Sequence, residues 1–253
     1  HRSNVLYSVG AYELKHAQMI KMPIVLSTIP DWQKAISLAL AKRQELEDLA
    51  KQEEDYAPPI VLFQAQKRNE PMYAQALQEW LFSNHKLEKH ESPISIGELD
   101  QLGDANLRDK YSPVKCVITQ QKLKEGWDCP SAYVLCSVTE TRSATDVEQI
   151  LGRIMRLPGA RLKSAIPLNQ AYAFVTSQTF ETVANALITG LIENGFEAWE
   201  AKEAIRRGQA INTELDLGPL SEGGTNAYLS SHVAPFAIPQ LCIQQGNIFQ
   251  PVE

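Results

Sequence analysis

Four short apolar runs rich in β-branched residues, at 59–64, 114–119, 133–138 and 171–176, set the main constraint on this chain. They read as continuous apolar stretches, not as alternating ones, which is the pattern of strands buried on both faces. Helix-length segments lie between most of them. Strands alternating with helices imply an α/β fold: a parallel sheet with helices on both faces and right-handed crossovers.

The remaining segments fit around that sheet. Residues 4–29 alternate short apolar and polar pieces, and Pro23 disfavours a continuous helix, so extended segments or a hairpin are expected there. Residues 31–54 predict a helix, with Asp31 as its cap and the charged second half as a solvated face. Residues 71–85 predict another, with Pro71 in the first turn and Leu77, Trp80 and Leu81 facing inward. A weaker strand is expected at 92–96, and a short helix or loop at 97–110. Helices follow at 143–155, 178–194 and 196–208, with Asn194-Gly195 as the stop between the last two. Beyond Gly208 the composition turns irregular, and 240–249 reads as a hairpin.

With 253 residues and 44% hydrophobic content, the chain suffices for one large domain, or for one domain and an appendage. A net charge of −6 means that any nucleic acid must be met by a local patch. Residues 142–163 supply one, with five cations (Arg142, Arg153, Arg156, Arg161, Lys163) against Asp146 and Glu148. Cys116, Cys129, Cys136 and Cys242 show no CxxC spacing, and three of them fall in or beside strands. They read as small hydrophobes in a reducing, cytoplasmic setting, without disulfides or zinc. No apolar run reaches membrane-span length. The first residue is His1 and the last follows a strand-like stretch, so a piece of a longer protein is expected.

Ligands of open parallel sheets bind at the carboxyl ends of the strands. Gln64, with the polar tail Lys67-Arg68, and Thr119, with the loop after it, fall at such ends. Lys122 lies in that loop, and Gly126 there permits close backbone approach. Asp128 is placed to accept a ribose hydroxyl; the alternative is a turn in which Trp127 packs and Asp128 caps. Farther on, Gln149, Arg153 and Arg156 recur at helical spacing, with Gly152 between them, and are expected on one helix face. Glu200-x-Lys202 lies on an expected helix with no aspartate on a preceding strand, and His85 and His90 lack partners at metal spacing. Neither pair reads as a site.

The stretches ITQQKLKEGWDCP, QILGRIMRLP and IVLFQAQ resemble motifs V, VI and IV of superfamily 2 helicases, in the form found in type III restriction-enzyme motor subunits. They occur in the family's order, over about the central half of the chain. The resemblance implies a RecA-like second motor lobe at 57–178, after a connector and long helix at 1–56 that lead from a first lobe. A helical extension at 179–253 begins a further region. It implies ATP with Mg2+ as cofactor, Arg156 as the arginine finger and Arg153 as a second phosphate contact. Gly126, Asp128, Gln149 and Gly152 would touch the nucleotide. Gln64, Lys67, Arg68, Thr119 and Lys122 would track the nucleic-acid backbone, DNA first and RNA as an alternative. A methyltransferase or specificity subunit is a further partner. The sequence has no G-x-x-x-x-G-K-[ST] loop and no acidic box ending an apolar strand. The chain by itself is therefore expected to be inactive and to complete an ATP site built by another lobe. The competing expectation is a docking module for nucleic acid or protein that keeps the fold without the chemistry.

Overall fold

The computed structural model describes residues 19–96, 99–103, 109–120, 129–139, 154–176, 180–193 and 196–208. It also describes Ala17, Asn106, Leu107 and two strands near the end of the chain. The strands of the main body are β1 (Ile24–Thr28), β2 (Ile60–Gln64), β3 (Ser95–Ile96), β4 (Leu99–Asp100), β5 (Cys116–Thr119), β6 (Ala132–Ser137), β7 (Ala171–Val175) and β8 (Ile205–Arg207). The helices described are α1 (Trp32–Ala50), α2 (Ala74–His85), α3 (Phe180–Glu193) and α4 (Ala198–Glu203). Six strands make one sheet in the order β5-β2-β6-β7-β1-β8. Every neighbouring pair in it is parallel.

The continuous apolar runs have the expected cause, because both faces of the sheet are covered. Ile60 and Leu62 of β2 join one core with Ala171 and Ala173 of β7 and with Val183, Leu187 and Leu191 of α3. Val61 and Phe63 point the other way, into a second core with Ile36 and Leu46 of α1 and Leu77 and Leu81 of α2. Cys116, Cys129 and Cys136 are buried and form no disulfide, as small apolar residues would be.

Of the extended segments or hairpin expected over 4–29, residues 24–28 are an extended segment: β1 is an interior strand, held by β7 on one side and β8 on the other. The sheet thus draws strands from either side of 57–178. Other expectations are corrected. The helix expected at 196–208 stops at Glu203, because Ile205–Arg207 pairs with Ile24–Leu26 and tertiary pairing overrides local preference. Its start carries a capping box between Glu197 and Glu200. Helix α2 begins at Ala74, three residues after Pro71, since Gln66 holds the preceding turn. The Gln66 amide N donates to Met72 O at 2.9 Å and its Oε1 accepts from Met72 N at 2.9 Å. The strand expected at 92–96 is reduced to β3 and an isolated bridge between Ile94 and Ile118.

Helix α1 has the predicted cap, with Asp31 accepting from Gln33 N at 2.9 Å. Its second half is not simply a solvated face. Arg43 and Glu47 are buried; Arg43 donates to Pro59 O at 2.9 Å and to Glu47 at 3.0 Å, and Tyr56 donates to Glu47 as well. This network fixes the end of α1 to the start of β2.

The chain divides into two compact units, 1–210 and 211–253. The second contains the expected hairpin, β9 (Cys242–Gln245) antiparallel to β10 (Ile248–Pro251). Phe63 has no exposed surface, whereas Phe82 on α2 is half exposed. Phe63→Ala is expected to cost about 3–5 kcal/mol, and Phe82→Ala less than about 1 kcal/mol, as read from urea denaturation midpoints.

Candidate functional site

The carboxyl ends of three adjacent strands bring together polar side chains far apart in sequence. Gln64 of β2 is in register with Thr119 of β5 and with Ser137 of β6. Ser137 Oγ donates to Gln64 Oε1 at 2.9 Å. Thr176 Oγ1, one residue past β7, donates to Ser137 O at 3.0 Å. Past β2, Gln66 Nε2 reaches Val138 O at 3.2 Å, and Gln120 Nε2 reaches Gln66 O at 3.0 Å. The result is a polar rim stitched across β5, β2, β6 and β7.

Sequence reading placed Gln64 and Thr119 correctly at this rim, but not their side chains. Gln64 is 5% exposed and Thr119 fully buried, so neither presents its polar group to a phosphate here. The Thr119 hydroxyl is the buried side-chain group without a hydrogen-bond partner among the described residues. Lys67 and Arg68 are exposed, in a turn closed by Glu70 N donating to Lys67 O at 2.9 Å. Lys122, Gly126, Asp128, Gln149, Gly152 and Arg153 lie outside the described residues.

Arg156 is exposed, and the structure corrects its expected helix face and sets its edge of the sheet. It does not sit on a helix face: Ile154 is helical, but Arg156 forms an antiparallel bridge with Ile20. Lys21 N donates to Met155 O, and Leu157 N donates to Met19 O at 2.9 Å. Nor does it lie beyond the carboxyl rim. Residues 19–23 lead into the amino end of β1; Met22 N bonds Asn169 O at 2.9 Å, and Ala171 N, at the start of β7, bonds Pro23 O at 3.2 Å. Arg156 is thus at the amino edge of the sheet. The reason is topological: a link from the carboxyl end of β6 to the amino end of parallel β7 must carry the chain back across the sheet.

The residue that sequence reading missed is Lys21. It is fully buried, with Nζ donating to Pro130 O and Ala132 O, both at 2.7 Å, and lying 4.0 Å over the Tyr133 ring. Burial pulls its amine well below the ordinary 10.5, against an opposing electrostatic effect of Cys129. The only hint in the sequence was a lone lysine beside Met22-Pro23, a pattern that also suits an exposed turn. A cleft of about 340 Å³ at the amino ends of β2 and β5, lined by Arg43, Lys51, Tyr56, Tyr111 and Lys115 among others, includes none of the residues singled out from the sequence. Among the described residues no group of three His, Cys, Asp or Glu is arranged to hold a metal, and no helix is long and apolar enough to cross a membrane.

No protein-family model matches the chain, and no curated protein matches it. Solved structures similar to it include the C-terminal domain of the DEAD-box protein Dbp5, at 17% identity and a TM-score of 0.39 over 72% of this chain and 95% of that one. The S. cerevisiae Dbp5 C-terminal domain bound to Gle1 and IP6 is similar at 17% identity and 0.39, over 73% and 98%. The ATP-dependent Type ISP restriction-modification enzyme LlaBIII bound to DNA is similar at 12% identity and 0.39, over 72% of this chain and 15% of that enzyme. Likeness of this degree carries no argument about this chain. The α/β class expected above is what the sheet itself shows: parallel strands with helices on both faces.

The lowered Lys21 value has a definite sign in stability. Between that value and 10.5 the unfolded chain binds more protons than the folded one, so the Lys21 contribution rises with pH through the window. Cys116, which burial pushes up to about 12, acts oppositely above its ordinary 9.0, but equally in wild type and variant. The stability of wild type relative to Lys21→Met is therefore expected to increase as pH rises toward 10.5, as measured by urea denaturation at several pH values.

Proposed function

We propose that this chain supplies the second RecA-like lobe of an ATP-dependent DNA helicase or translocase of the restriction-modification kind. The observation that carries the reading is the order of the three motif-like stretches on one parallel sheet. The stretch at 60–66 ends on the polar rim, the stretch beginning at Ile118 reaches that rim beside it, and the third delivers Arg156, exposed, to the opposite edge. In this reading the exposed Lys67 and Arg68, with Lys122, face the nucleic-acid backbone, and the buried Gln64 and Thr119 shape the rim beside them. Such contacts position a strand without reading its sequence.

Arg156 is the proposed finger. Phosphoryl transfer spreads charge over the γ-phosphate oxygens, and a planar guanidinium directed there stabilises it. Arg153 is proposed as a second phosphate contact, with Gln149, Gly152, Gly126 and Asp128 toward the nucleotide. ATP supplies the free energy of phosphoanhydride hydrolysis. Its Mg2+ and its β- and γ-phosphates are held by a first lobe, since this sequence has no phosphate loop. Closure of the two lobes would then shift the grip on the strand. The first lobe of the parent chain and a methyltransferase or specificity subunit are the partners this implies.

One observation favours a second reading. The burial of Gln64 and Thr119 leaves the rim with few polar groups to offer, which suits a docking module for nucleic acid or protein without ATP chemistry. The two separate on the parent protein. In the motor reading, Arg156→Ala lowers ATP turnover by about 10³-fold or more, with DNA affinity little changed in a filter-binding assay. Unchanged turnover would sink the finger assignment, and a parent without any ATPase activity would favour docking.

A further inference from the structure

The cleft of about 340 Å³ at the amino ends of β2 and β5 has no part in the function proposed above. Its volume lies at the small end of ligand pockets, enough for one small molecule or one unit of a chain. Its lining is charged. Arg43, Lys51, Lys110 and Lys115 stand there against two carboxylates, Glu47 and Glu91, on a chain whose net charge is −6. Both carboxylates are already engaged. Glu47 accepts from Arg43 at 3.0 Å and from Tyr56; Glu91 meets Lys115 at 2.6 Å and accepts from Glu88 N at 2.9 Å. Lys51 stands 3.6 Å from Glu47 and from Asp48, too far for a hydrogen bond. Lys110 has no carboxylate partner among the described residues, and its amine lies 4.9 Å over the Tyr111 ring. The cleft therefore has positive charge to offer an anion.

Tyr111 adds a second observation. It is 79% exposed, which alone would mean little, but the turn that carries it is fixed. Tyr111 N donates to Asp109 Oδ1 at 3.0 Å, Ser112 N donates to Asp109 O at 2.9 Å, and Pro113 follows. A ring held this way loses little freedom when a flat partner stacks on it. A peptide finds less here. Residues 91–93 cover the outer edge of β5, with Lys115 N and Cys116 N donating to Glu91 O and Ile118 N to Pro93 O, so no strand can be added. We propose that this cleft binds one nucleotide unit, with its phosphate on Lys51, Lys110 and Lys115 and its base stacked on Tyr111. Cations take any phosphate and a flat ring takes any base, so binding is independent of base sequence. A free mononucleotide and a single strand present the same chemistry. The site holds whether or not the chain serves a motor.

The test uses the full chain, with thymidine 5′-monophosphate and a single-stranded oligothymidylate as probes. In lysine acetylation footprinting, at least one probe is expected to slow labelling of Lys51, Lys110 and Lys115; Lys202 on α4, exposed and outside the cleft, is the reference. Protection by the oligonucleotide that excess monophosphate does not displace makes a strand the source. Protection by the monophosphate alone makes it the free nucleotide. Tyr111→Ala is expected to weaken binding of the protecting probe by about tenfold. For a strand, Lys110→Ala is expected to reduce the slope of log affinity on log salt by about 0.7. Both positions are exposed, so neither variant disturbs the core. Unchanged labelling at the three lysines, protection confined to Lys67, or wild-type affinity in Tyr111→Ala overturns the proposal. So does displacement of the probe by free phosphotyrosine as readily as by a nucleotide, which would assign the cleft to a phosphopeptide. None of these results bears on the role proposed for Arg156.

Discussion

Because all six strands of the sheet run the same way, every connection must bring the chain back from the carboxyl edge to the amino edge. That constraint divides the molecule into two working edges. One gathers the ends of β2, β5, β6 and β7, with Gln64, Thr119, Ser137 and Thr176 in adjacent registers. The other receives the returning chain, and there Met155–Leu157 is caught by the segment that leads into β1. A two-sided division of labour follows from direction alone, before any side chain is considered.

The side chains then reinforce the two edges in different ways. On the carboxyl edge, short polar residues bond to one another and to the ends of neighbouring strands. On the amino edge, long cationic residues reach strand beginnings: Lys21 to Pro130 and Ala132, and Arg43 to Pro59. Each places a nitrogen on carbonyls at the start of a strand and keeps its alkyl stem buried. Removing such a group leaves buried carbonyls unpaired, which costs more than the bond contributes while intact. A comparable arrangement holds the β3–β4 hairpin, where Gln78 Nε2 donates to Ser92 O at 2.7 Å and to Gln101 at 2.9 Å.

The strands were legible in the sequence because burial on both faces leaves a dense apolar signature; β2, β5, β6 and β7 fall within two residues of their expected bounds. What was not legible depends on long-range pairing. Ile24–Thr28 is apolar enough for a strand, but its partners lie near the far end of the main body, and no local pattern announces them. Ile205–Arg207 was hidden for the same reason. At the rim, position was legible and exposure was not, since Gln64 and Thr119 look like surface residues until Ser137 and the neighbouring strands close over them. The edge on which Arg156 lies was in principle deducible from the parallel crossover; helical spacing alone says nothing about it. Lys21 is hardest, because a lysine beside a proline ordinarily means a solvated turn.

The interior place of β1 also bears on how the chain is made. During synthesis it emerges ahead of β2 to β8, yet neither neighbour exists until β7 and then β8 have left the ribosome. Its apolar Ile24-Val25-Leu26 must wait through most of translation, close to Met19–Lys21, which waits as well for residues 155–157. Such a delayed insertion makes a slow step and a nascent chain prone to stray strand pairing, so a holding chaperone on residues 19–28 would matter more here than in a sheet assembled in order.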